Sequence, residues 1–242
     1  MENIIGEFQP IPLRQPISTI GRIVFFLRLV VDLQALTVTR FLQRHLPYLD
    51  GDVLDVGCGE QPFRAMLSSR CRYTGIDIAA SRAFKMHSPP DIVTFDGQHI
   101  PYPDAHFDAI LCTEVLENAV GPEGLIFEMR RVLKPSGTLL VTIPFSARVH
   151  HAPHDYRFTW FQLGILFSHF EEMQIEERGD DFTVLANKLI VICARFLRPS
   201  RLPLLLMGAP FAAIALGVAH LSCIFKWGSP MAPLGYAIIA KR

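Results

Sequence analysis

Gly57 and Gly59 bracket Cys58 directly after the run Val53-Leu54-Asp55-Val56. Glycines in that position permit a tight turn and let a ligand approach the backbone. A dinucleotide pyrophosphate would favour a third glycine at position 62, where this chain has Pro62 followed by Phe63. Three acids accompany the loop. Asp55 precedes it, Asp77 closes the next apolar run, and Asp96 closes the one after that. A carboxylate at 55 suits a cationic amine, and one at 77 can accept hydrogen bonds from both hydroxyls of a ribose. One at 96 can accept from a base amino group. Any one of these acids alone reads as a turn residue at a strand end. Three of them on successive strands, at one edge of a sheet, point to a ligand.

A second group of reactive side chains lies in the segment His150-His151-Ala152-Pro153-His154-Asp155-Tyr156-Arg157-Phe158-Thr159. Histidine titrates near neutral pH and can take a proton from an attacking group. His154 and Asp155 are the candidate catalytic pair; His150, His151, Tyr156 and Arg157 are candidate substrate contacts. Two other readings compete. His151 and His154 have a metal-ligand spacing, but no nearby cysteine or second acid completes a site, so no metal is expected. Alternatively, Asp155 or Thr159 caps the next helix and Arg157 pairs internally.

These residues need a scaffold. Apolar runs at 52–56, 73–78, 91–95, 107–112 and 137–143 read as strands, and 122–133 reads as a helix between two of them. Strands alternating with helices argue for a parallel sheet covered on both faces. Residues 1–17 carry Pro10, Pro12 and Pro16 and read as an irregular lead-in. Residues 18–46 have helical periodicity with Arg22, Arg28 and Arg40 among the apolar positions. That pattern reads as a helix packed on the core, with a basic helix resting on a membrane as the alternative.

The ordered motifs resemble the class I S-adenosylmethionine-dependent methyltransferases, in particular the type 11 branch. Leu54-Asp55-Val56-Gly57-Cys58-Gly59 resembles the first motif of that family and Gly75-Ile76-Asp77 the second. Phe95-Asp96-Gly97, with Ile100-Pro101-Tyr102 and Phe107-Asp108, resembles the third. Glu114-Val115-Leu116-Glu117 resembles the segment after the fourth strand, and residues 131–138 the turn into the fifth. The resemblance implies a Rossmann-like α/β fold with a seven-stranded, mostly parallel sheet and helices on both faces. It implies S-adenosyl-L-methionine as cofactor, held by Asp55, Gly57, Cys58, Gly59, Asp77, Ile78, Asp96, Gly97 and Glu114. Asn118 stands where many relatives carry histidine, and an amide cannot act as a general base near neutral pH. A Tyr-x-x-x-Lys pair, typical of short-chain nicotinamide oxidoreductases and epimerases, is absent. A non-catalytic, membrane-tethered module that keeps the cofactor fold is the other reading.

Composition narrows the partners. Basic and acidic residues balance at 23 each, which disfavours nucleic acid. Half the residues are apolar, only 19% are charged, and the mean hydropathy is +0.28. The five cysteines form no C-x-x-C pair and read as reduced thiols. The N-terminal residues lack the basic start and apolar run of a secretory signal, so a cytoplasmic domain is expected. Residues 202–225 carry no formal charge and are long enough to span a bilayer. The family's last strand returns to the sheet beside the fifth, and residues 234–242 read as that strand. A single crossing would separate it from the sheet. The expectation is therefore a lead-in and amphipathic helix at 1–46 and a methyltransferase domain at 47–242. Within that domain, an insert at about 182–232 is expected to rest on or dip into the inner face of the membrane, with a helical lid folded on the protein as the alternative. The acceptor is expected to be small or lipid-linked; the oligomeric state is left open.

Overall fold

The computed structural model describes residues 12–79, 81, 89–147, 154–197 and 199–242. Seven strands form one sheet: β1 (Gly51–Val56), β2 (Cys71–Ile78), β3 (Val93–Phe95), β4 (Phe107–Thr113), β5 (Leu133–Pro144), β6 (Glu172–Arg178) and β7 (Gly235–Lys241). Their order is β3-β2-β1-β4-β5-β7-β6. All pairings are parallel except those of β7, which runs antiparallel between β5 and β6. The expected Rossmann-like sheet and the return of the final strand beside the fifth are both present.

Six α-helices accompany the sheet among the described residues: α1 (Thr19–Val31), α2 (Leu33–His45), α3 (Pro122–Val132), α4 (Trp160–Leu166), α5 (Asp181–Ala194) and α6 (Leu202–Phe225). Strand side chains alternate between two cores, as the period of two requires. Leu54, Val56, Ile110 and Cys112 face a core with Leu125, Met129 and Phe167 from the α3–α4 side. Val53, Ala109 and Leu111 face a second core with Val38, Phe41 and Leu42 of α2. Phe41 is fully buried there, and truncating it to alanine would cost about 3–5 kcal/mol.

The single helix expected over 18–46 is two. Asp32 breaks it with φ −92° and ψ 88°; its amide closes α1 onto Arg28, and its carboxylate caps α2 through the Ala35 amide. The expectation that the whole segment packs on the core fails for half of it. α2 carries seven buried residues and α1 none. β5 begins at Leu133, earlier than expected, because Leu133 already pairs with Phe107 before a register shift.

The apolar insert is a helical hairpin. α5 and α6 pack side by side, with Gly208 of α6 against Cys193 of α5; a Cβ at 208 would lie 3.1 Å from the Cys193 sulfur. At the hairpin base, Asp180 caps α5 through the Thr183 amide at 2.9 Å and accepts a hydrogen bond from the Ser222 hydroxyl on α6. The Ser229 amide donates to Asp181 at 3.0 Å, and the Asp181 amide to the Ser229 carbonyl at 3.2 Å. Leu33 and Leu36 of α2 pack with Ala186, Ala219 and Leu234 beneath it. Most of α6 is nevertheless exposed, including Leu206, Met207, Phe211 and Ile214.

Candidate functional site

The carboxyl ends of β1, β2 and β4 place the glycine loop and its acids together. The amides of Gly57 and Cys58 both donate to the Ile76 carbonyl, at 2.8 and 3.1 Å, which lays the loop over β2. Gly57 has φ +69°, and a Cβ there would fall 2.4 Å from Val115. Only glycine satisfies both conditions. The Gly59 amide donates to Asp77 Oδ2 at 2.9 Å, and the Ile78 amide to Asp77 Oδ1 at 2.7 Å. Asp77 is thus set facing the loop, as a strand-end carboxylate with both oxygens on backbone amides.

Asp55 is buried beneath the loop. Tyr73 donates its hydroxyl to Asp55 Oδ2 at 2.8 Å, while Oδ1 is buried without a partner. Burial raises the Asp55 carboxyl to about 7; the Tyr73 hydrogen bond opposes this, and the negative charge of Asp77 adds to it. Burial also pushes the Cys58 thiol up, so Cys58 packs as a neutral wall. Gly97 has φ +83°, and a Cβ there would meet Ile78 at 3.1 Å, which brings these two predicted residues side by side. Asp96 follows directly after β3. Its carboxylate is exposed and folded onto its own turn, accepting from the Gln98 and His99 amides at 2.7 Å each and pairing with the His99 ring. Those bonds hold it down at about 2.

After β4, Glu114 adopts a left-handed φ of 56°, unusual for a residue with a side chain. Arg178, buried at the end of β6, donates from Nη2 to Glu114 Oε1 at 2.6 Å. Its other donors go to the carbonyls of Ile143 and Tyr236 and to the Thr37 hydroxyl. Glu117 is fully buried. Its Oε1 accepts from Asn118 at 3.2 Å, and its Oε2 is buried without a partner. Burial, then the charge of Glu114, pushes its carboxyl well above the carboxylate range, so it is held neutral. Arg178 and Glu117 were absent from the candidate set. The sequence offered only a charged residue at the end of a strand and an acid one turn after another acid.

The histidine segment enters here. The Tyr156 amide donates to the Glu117 carbonyl at 2.8 Å, and the rings of His154, Tyr156 and Phe158 stack in series. Asp155 is ion-paired with Arg157, and Thr159 caps α4 in a reciprocal capping box with Gln162. The capping and internal-pairing reading therefore describes Thr159 and Arg157. His150 and His151 lie outside the described residues. Among the described residues no cluster fit for a metal is present. A groove of about 440 Å³ between α3 and α4, lined by Ile126, Phe127, Ile165 and Phe170 among others, includes none of the glycine-loop residues.

Residues 54–141 match the methyltransferase domain family. Over that segment the chain carries a methyltransferase domain of the class I, S-adenosylmethionine-dependent type. The cofactor of this family fits the site: a Cβ at Gly57 would collide with Val115, Gly59 has a left-handed φ of 50°, and one Asp55 oxygen is buried without a partner. Ubiquinone biosynthesis O-methyltransferase of Chromobacterium violaceum is 31% identical over 106 residues, covering 40% of this chain and 46% of that protein. The 27-O-demethylrifamycin SV methyltransferase of Amycolatopsis mediterranei is 36% identical over 107 residues, covering 39% of each. The chain spans less than half the length of the curated relatives it matches. Among solved structures, a methyltransferase from Archaeoglobus fulgidus superposes with TM-score 0.55 at 16% identity, covering 90% of this chain and 99% of that one. The [4+2]-cyclase SpnF does so at 0.53 and 24%, covering 86% and 82%. A cyclase and a methyltransferase share this architecture, so the chemistry must be argued from the site. The family match ends within β5, before the histidine segment and the hairpin.

Proposed function

We propose that this methyltransferase moves a methyl group from S-adenosylmethionine to a small or lipid-linked acceptor at the inner face of the cell membrane. The observation that carries the reading is positional. The glycine loop, Asp55, Asp77 and Glu114 share one sheet edge, and the exposed apolar hairpin leaves the body at that same edge. Arg178 and Gly235, which flank the insert, pair with each other, and Gly235 pairs with Pro144 at the carboxyl end of β5. Curated relatives named for ubiquinone biosynthesis agree with a small acceptor.

When bound, the cofactor supplies a methyl group already activated on a sulfonium, so the protein's share of the work is alignment. Asp77 would hold the ribose, with Gly57 and Gly59 giving the close approach. Asp55 would face the cationic amino-acid end, with Ile78 and Gly97 on the adenine side. His154 would take the proton lost by the acceptor, and Tyr156 and Arg157 would line its path. The uncharged, mostly exposed α6 would sit in lipid, where each Å² of buried apolar surface contributes about 25 cal/mol. The test is transfer of radiolabel from methyl-labelled cofactor into the organic-soluble fraction of a membrane extract incubated with the protein. Label in the lipid fraction is expected. Cofactor binding without any labelled product would instead favour a tethered, non-catalytic module.

A further inference from the structure

We infer that α1 is a second lipid-contacting element, an interfacial helix that docks on an anionic bilayer beside the hairpin. The inference rests on the membrane reading above for its partner, but on separate residues for its observation. α1 has no buried residue. Ile20, Ile23, Val24, Leu27 and Val31 recur at spacings of three and four, which sets them along one face. All five are between 47% and 75% exposed. A soluble protein rarely leaves such a stripe uncovered.

Placement and charge identify the occupant. His220 of α6 donates to the Val30 carbonyl at 2.8 Å, so α1 departs from the body beside the base of the hairpin. α1 is about 20 Å long, too short to cross a bilayer but suited to lie in its interface. Residues 12–31 carry three arginines and no acid; residues 195–227 carry three arginines, one lysine and no acid. All 23 acidic residues lie outside these two segments of an overall neutral chain. Arg14 pairs with Glu60 and Arg28 with Asp32, but Arg22 and the basic residues flanking α6 leave an excess of positive charge beside the apolar faces, which matches anionic headgroups above acyl chains.

Flotation of the full-length protein with phosphatidylcholine vesicles, alone or mixed with phosphatidylglycerol, tests this. The parent should float with the anionic mixture and much less with the neutral one. The triple variant Ile20→Ser, Val24→Ser, Leu27→Ser should partition roughly tenfold less or weaker. Its cofactor affinity, the check on folding, should be unchanged. The apolar swap Ile20→Leu, Val24→Leu, Leu27→Ile should restore binding. A parallel triple in α6, Leu206→Ser, Phe211→Ser, Ile214→Ser, separates the two ideas. If it floats less while the α1 variant floats like the parent, α1 is not a lipid contact and the hairpin reading stands. If only the α1 variant is affected, the hairpin reading fails and the α1 assignment stands. A parent that ignores both vesicles overturns both. A parent that self-associates in solution through the stripe, with the α1 variant monomeric and flotation unaltered, overturns the lipid assignment in favour of a second copy.

Discussion

Arg178 and Glu114 meet at 2.6 Å although 64 positions separate them in the chain. The pair ties the end of β6 to the turn after β4, and it holds Glu114 in its left-handed conformation beside the glycine loop. Removing one partner of such a buried pair typically costs about 3–5 kcal/mol, and Arg178 also serves three other acceptors. We therefore expect Arg178→Met to lower the urea midpoint by an amount near the lower end of that range, because Glu114 is partly solvated. Glu114→Gln should cost less. A double-mutant cycle would report the coupling; additive effects would show that the pair contributes nothing of its own.

Asp77→Ala should weaken binding of S-adenosylmethionine by about 1.5–3 kcal/mol, the range for hydrogen bonds to a charged group. Titration calorimetry measures this directly. Asp77 also holds the Gly59 amide, so thermal stability of the free protein must be followed alongside. Equal affinity in parent and variant would remove the ribose assignment.

Asp55 makes stability depend on pH in a defined direction. Its carboxyl is raised from the ordinary 3.8 to about 7 in the folded protein, chiefly by burial. The folded state therefore holds a proton that the unfolded state releases, so the contribution is complete below about pH 4 and is lost as pH rises toward 7. Asp55→Asn should flatten that part of the stability profile. The measurement is the urea midpoint from pH 4 to 8 for parent and variant. Parallel profiles would place the titration elsewhere.

His154→Ala should reduce turnover while leaving cofactor affinity intact, since its ring stacks on Tyr156 and lies outside the glycine loop. Asp155→Ala should act differently. It frees Arg157 from its ion pair, so it should disturb the segment's position and raise the acceptor KM more than it lowers kcat. Loss of cofactor binding in either variant would mean that the segment supports the fold rather than the acceptor.

Strands β1 to β5 and the final strand were legible because their determinants are local, whereas β6 was not, since Glu172–Arg178 carries four charged residues and no apolar run. The first three strands are short, and Gly57 and Asp96 directly follow β1 and β3 while Asp77 is the penultimate residue of β2, which marks the turns. The hairpin was legible through the absence of charge over residues 202–225. What could not be read were relations between distant residues. Nothing near Arg178 announces that its guanidinium will reach Glu114. Asp96 looks like Asp77 in sequence, yet β3 is a short edge strand, and there the carboxylate turns back onto the amides of its own loop. The break at Asp32 is a capping event hidden inside a continuous helical periodicity. That break decides which half of the segment joins the core.

The hairpin base is clamped by Asp181 and Ser229 next to the start of β7, on the rim where the glycine loop opens. Were the hairpin seated in a bilayer, as proposed above, a body moored by that rim would not tumble freely against its mooring surface, and the glycine-loop edge would face the lipid. For an acceptor dissolved in that bilayer, the search for the site would then become a walk in two dimensions. The encounter rate would be set by how many acceptors share the membrane patch, and it would be indifferent to the volume of the surrounding compartment.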